Sequence, residues 1–124
     1  MRFMMIVTGD ENFTKSGPPP MELMTEIGKL GEEATKAGKF VSMGGLQHSS
    51  KGASVRLKGG KLITTDGPFT EAKEVIGGFT ILDVASKEEA IAEATKFMEL
   101  HRRLWPTWEG TTEIRQMYEA GDHP

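Results

Sequence analysis

Apolar positions along this chain alternate between two periods, one of strands and one of helices. Phe3 to Thr8 is apolar at consecutive positions, the pattern of a strand covered on both faces. A polar loop follows and ends at Gly17-Pro18-Pro19-Pro20. Leu23, Ile27, Leu30, Ala34 and Ala37 then recur at alternating spacings of four and three, which predicts an amphipathic helix closed by Gly38. Gly28 and Gly31 inside it each cost about 1 kcal/mol relative to alanine, so they either allow a close backbone approach or are merely tolerated.

Phe40 to Leu46 reads as a second strand with a bulge or bend at Gly44-Gly45. Ala53 to Leu57 and Leu62 to Thr64 flank Gly59-Gly60, which predicts a hairpin projecting as an arm with Asp66 at its return end. Ile76 to Val84 is another strand. Ser86-Lys87-Glu88-Glu89 is a capping box opening a second helix, whose buried stripe is Ala90, Ala94, Phe97, His101 and Leu104. Trp105-Pro106-Thr107-Trp108 ends that helix and caps its core, and Thr112 to Tyr118 supplies a last strand.

This order predicts an α+β fold, a ferredoxin-like βαββαβ sandwich with a β-hairpin arm, as a single domain over residues 1–118 with a frayed tail at 119–124. Two helices cover only one face of such a sheet. Phe3 to Val7 and Phe79 to Leu82 offer apolar groups to both faces, so the second face is expected to pack on another copy, making a homodimer.

A length of 124 residues suits one core and not two. The 15 basic and 18 acidic residues leave a net charge of -3 without a long block of either sign, so no nucleic-acid partner is expected. Cysteine is absent from the sequence, which removes disulfides, thiolate metal sites and a cysteine nucleophile. The first apolar run stops at Asp10-Glu11, too short for a signal core or a membrane span. A cytoplasmic protein with no membrane partner is the expectation.

The densest punctuation lies between Gly44 and Gly78. Gly45-Leu46-Gln47, Val55-Arg56, Gly60-Lys61, Thr65-Asp66-Gly67-Pro68-Phe69-Thr70-Glu71-Ala72-Lys73-Glu74, Gly77-Gly78-Phe79 and Asp83 follow one another in that order, and Glu113 to Met117 close the chain. In these residues the chain closely resembles the YCII-related proteins of the DGPF type. The resemblance covers nearly the whole chain and implies a dimeric α+β barrel in which two sheets meet face to face. It also implies a bacterial protein, with a sigma-factor-type regulatory partner among its possible partners. The wider group is proposed to use a His–Asp pair as acid and base. Asp66 is the only counterpart of that Asp here, and the first helix contains no histidine. His48 or His101 would have to reach Asp66 from elsewhere.

Asp66 is therefore a candidate catalytic base or orienter, needing a partner within about 2.6–3.2 Å. The competing role is structural: an Asp before Gly-Pro accepts turn amides, here those of Phe69 and Thr70. His48, at a strand end, is the candidate catalytic partner. His101, near the C-terminus of the second helix, reads as structural, with a charged ring gaining from the helix dipole. Gln47, Arg56 and Thr65 flank the Asp66 loop and suit a small anionic or carbonyl-bearing ligand, with Phe69, Glu71 and Lys73 completing the ligand-binding set. Cross-strand pairing, including Lys73 and Glu74 with Arg56, is the structural alternative.

Metal-ligand spacings and a phosphate loop are missing from the sequence, so neither a metal nor a cofactor is expected. Two functions follow. One is a protein binding a small molecule or a regulatory partner in a cleft at the dimer interface. The other is a cofactor-independent lyase, isomerase or hydrolase using Asp66.

Overall fold

In a computed structural model describing residues 1–69 and 71–124, the chain runs β1 (Arg2–Gly9), α1 (Met21–Lys36), β2 (Phe40–Gly45), β3 (Ala53–Lys58), β4 (Lys61–Asp66), β5 (Val75–Asp83), α2 (Lys87–Leu104) and β6 (Gly110–Gln116). The main sheet has the order β2-β5-β1-β6 with every neighbour antiparallel. Two strand–helix–strand crossovers thus interleave, which is the ferredoxin-like α+β arrangement expected. Among the described residues, no helix is long and apolar enough to cross a membrane.

Register decides which side chains meet the helices. Phe3 pairs with Leu82, and Met5 with Thr80 and Ile114. These positions face α2, and Phe3, Met5, Leu82 and Val84 form one buried cluster with Ala90 and Ala94. Leu23 anchors α1 with no exposed surface, and truncating such a residue to alanine costs about 2–5 kcal/mol. At the start of α2 the Glu89 amide donates to Ser86 Oγ at 3.1 Å, as the capping box requires. Lys39, just before β2, donates to the buried Glu93 of α2 at 3.1 Å and ties the two crossovers together.

The alternate positions, Met4, Ile6, Phe79 and Ile81, lie on the opposite face and are half-buried. Gly44 shapes that face, since a Cβ there would press on the Phe79 ring at 2.8 Å. The bulge expected at Gly44-Gly45 sits instead between Phe40 and Ser42, where β2 shifts register against β5. Gly28 and Gly31 likewise do not admit a close backbone approach within the chain. A Cβ at Gly28 would meet nothing within 4 Å, and at Gly31 only the Met43 sulfur at 3.8 Å.

β3 and β4 pair with each other as a separate two-stranded arm. Ala53, Val55, Leu57, Leu62, Thr64 and Asp66 share one face of it by register, and Ser54, Arg56, Lys58, Lys61, Ile63 and Thr65 share the other. Every residue of the arm is exposed.

Trp105 is buried over the end of α2 and stacks on Trp108, with ring centroids 5.7 Å apart. Gly9 and Gly110, paired across β1 and β6, leave the slot for Trp108, since a Cβ at Gly110 would overlap its ring. The last strand begins at Gly110 because of this pairing, earlier than its apolar pattern suggests. His101 is also buried, and desolvation holds its imidazole below the ordinary range. Buried and bonded to the Phe97 carbonyl, His101 has the structural placement expected, and desolvation outweighs that hydrogen bond in setting its shift.

Candidate functional site

β1 and β2 end, and β5 begins, at the same end of the main sheet. There the chain after β2 turns through a short 3-10 segment, Ser49–Lys51, with His48 at its N-terminus. The Gly67 amide donates to the Gly52 carbonyl at 2.9 Å and brings the loop after β4 against this turn. A Cβ at Gly67 would overlap the Ser49 carbonyl, so only glycine lets the two backbones meet. The Gly67–Pro68 bond is cis.

This contact completes a polar cluster. The Phe69 amide donates to Ser49 Oγ at 3.0 Å, and the Ser49 hydroxyl donates to Glu11 Oε2 at 2.5 Å. The Ser49 amide donates to Glu11 Oε1 at 2.7 Å. Hydrogen bonds from Ser49, the hydroxyl first, outweigh desolvation and hold the Glu11 carboxyl below its usual range. Asp10 fixes the approach of this loop by accepting the amides of Asn12 and Thr14, each at 2.9 Å, which lowers its own carboxyl in the same sense.

His48 is engaged at both ring nitrogens. Nδ1 lies 3.1 Å from the Ser50 amide, which can only donate, so Nδ1 accepts. Nε2 therefore carries the hydrogen of the neutral ring and faces Asn12 Oδ1 at 2.7 Å, with Glu11 Oε2 at 3.5 Å. The cluster thus sets an imidazole beside a carboxylate, with the Nδ1 lone pair of the ring engaged by the Ser50 amide. It presents fixed hydrogen-bonding groups rather than an activated base.

The sequence-derived residues are dispersed around this cluster. Asp66 ends β4 as an exposed residue opposite Ala53, and among the described residues nothing donates a hydrogen bond to its carboxylate. The Phe69 amide expected to cap Asp66 is committed to Ser49 instead. The Thr70 amide lies outside the described residues. His48 and His101 bond to Asn12, Ser50 and Phe97, and neither bonds to Asp66.

Arg56 and Thr65 lie on the arm face opposite Asp66, because alternation along the strands separates them. Among the described residues no ion pair joins Arg56 to Glu74. Gln47 is exposed just past β2, and Glu71 and Lys73 are exposed in the turn after Phe69, which is half-buried. Of the expected set, only His48 and Phe69 join the cluster. Glu11 and Ser49 join it unforeseen. The available signal for Glu11 was a carboxylate pair immediately after an apolar strand.

Fold and site together define a ferredoxin-like α+β domain with a projecting arm and a polar cluster at one end of its sheet. The chain belongs to the YCII-related domain family, whose model matches residues 1–99. It is also similar to an uncharacterized protein of Rhizobium meliloti (strain 1021), at 27% identity over 128 residues that span 100% of this chain and 99% of the relative.

Proposed function

We propose that this protein is a cytoplasmic homodimer that binds a small molecule in the cleft between facing sheets, with Glu11, His48 and the 66–69 loop at the polar end of that cleft. The observation that carries this reading is the arm. Val55, Leu57 and Leu62 lie on one face of it and are 67%, 70% and 73% exposed. Contiguous apolar surface of this kind marks an interface. Met4, Ile6, Phe79 and Ile81 give the main sheet a second apolar face without a helix on it, and a second copy supplies a matching surface for both.

Binding is favoured over catalysis by the state of the two candidate groups. Among the described residues no histidine bonds Asp66, and the Nδ1 lone pair of His48 is occupied by Ser50. Gln47 remains exposed to a polar ligand group.

A thermal-shift screen of small carboxylates and carbonyl compounds, run beside sedimentation velocity, tests the reading, since a ligand of the folded state alone raises the melting temperature by mass action. A dimer with at least one saturable stabilising compound supports it. A monomer that captures a sigma-factor-type protein through the same apolar face would replace it.

A further inference from the structure

A second concavity lies on the helix-covered side of the sheet, away from the face assigned to the partner copy. It is an open groove of about 560 Å³ between α2 and β6, within the span of about 300–1,000 Å³ usual for small-molecule sites. Ile91 and Met98 of α2, Ile114 of β6 and Trp108 supply apolar walls, and His101 lines the groove with them.

The polar group in this wall is specific. His101 is only 6% exposed, and its Nδ1 lies 2.9 Å from the Phe97 carbonyl. A carbonyl only accepts, so Nδ1 carries the hydrogen and Nε2 of the neutral ring holds the lone pair. Among the described residues no donor bonds Nε2, and no fully buried side-chain polar atom lacks a partner. Nε2 is therefore not fully sealed from solvent, and the groove is the concavity that His101 lines.

The ring is already held in place. Its centroid is 4.5 Å from that of Phe97 and 4.6 Å from that of Trp108, so no ordering is required on binding. Desolvation keeps the imidazole neutral, which preserves the acceptor. Arg102, at the groove's rim, is paired with Glu99, so its charge does not call for an anionic ligand.

We propose that the α2–β6 groove binds a small aromatic alcohol, whose hydroxyl donates to His101 Nε2 while its ring packs on Trp108 and Met98. Thr95, Thr112, Glu99 and Glu109 also line the groove but are not buried; its apolar, aromatic wall with one buried acceptor suits a flat apolar body carrying a donor. This site is separate from the cleft proposed above and does not depend on it.

The test uses 2-naphthol and 2-methoxynaphthalene, which share a ring system and differ in the donor. Both are titrated into the full-length protein and followed by two-dimensional NMR of the backbone amides and indole N–H groups. The expected result is saturable 2-naphthol shifts at Met98, Thr112 and the Trp108 indole, with the methyl ether at least about tenfold weaker for want of the hydrogen bond. His101→Phe keeps a ring against Trp108 but offers no acceptor, and it should bind the two probes equally.

Equal affinities in the wild-type protein, shifts confined to the open sheet face, or no saturable shift would each overturn the proposal. If His101→Phe fails to fold, the comparison of the two probes on the wild-type chain still decides.

Discussion

Ser49 is joined to Glu11 twice, by its amide to Oε1 at 2.7 Å and by its hydroxyl to Oε2 at 2.5 Å. The same hydroxyl accepts the Phe69 amide, so one serine links the end of β1 to the turn after β2 and to the loop after β4. The candidate site is held by this link, and its charge, geometry and stability should change together when it is cut.

Ser49→Ala removes a donor to a carboxylate and leaves the Phe69 amide without its partner. The expected loss is about 1–3 kcal/mol of unfolding free energy, read from urea denaturation with an unchanged m-value. Chemical shifts of residues 11 and 69 should move while those of α2 stay in place.

Acid should weaken the fold in two steps. His101 is held below its ordinary value of 6.5, so on acidification the unfolded chain takes up a proton that the folded chain refuses, and stability falls as the pH drops below about 6.5. Glu11 is held below its ordinary 4.5, so its contribution is complete above that value and is lost as the pH falls through the lower folded value. Urea midpoints from pH 8 to pH 3 should show the upper step flattened in His101→Phe and the lower step flattened in Glu11→Gln. A wild-type midpoint constant from pH 7.5 to 5 would contradict the first assignment.

Gly67→Ala places a methyl group where the Ser49 carbonyl stands. The loop must shift, at a cost of about 1–3 kcal/mol for overpacking, and the Phe69–Ser49 bond should open. Thermal melts measure the cost, and amide exchange at Phe69 reports the opening.

Asp66→Asn distinguishes a base from a surface residue. Exposed and without a described bonding partner, Asp66 should tolerate the change within about 0.5 kcal/mol. If the screen yields a turnover, that activity should persist in the variant. A fall of about 10²–10⁴-fold, the usual contribution of a positioned acid or base, would restore Asp66 to the catalytic list.

Replacing Leu57 and Leu62 together by glutamate puts charge on the apolar face of the arm. Sedimentation velocity at micromolar concentration should then show a monomer, against a wild-type dimer burying more than about 1,200 Å² in total. A monomeric wild type would remove the dimer and the cleft with it.

Much of the architecture was legible in local patterns. The 3.6-residue stripe from Leu23 to Ala34, the Ser86–Glu89 box and the Gly59-Gly60 turn each report a structure made by residues close in sequence, and each appears in the fold. The same logic placed Trp105 and Trp108 over the end of α2. It failed at Gly44-Gly45, because a glycine pair signals that a bend is possible and cannot say whether the room is used for a bulge or for the Phe79 ring.

The sequence alone determined the elements, their order and the family, since period, caps and turn residues act over a few positions and leave a readable pattern. The tertiary structure alone decided the site. Glu11 and Ser49 stand 38 residues apart, and single polar residues in loops carry no period to announce a partner. Strand register placed Asp66 on one face of the arm and Arg56 on the other, although the sequence sets them around one loop. Burial then holds the His101 imidazole below its ordinary range, a shift that its position near a helix end does not announce. Each outcome depends on which distant backbone comes within hydrogen-bond reach and on how much water is excluded there, quantities that exist only once the chain has folded.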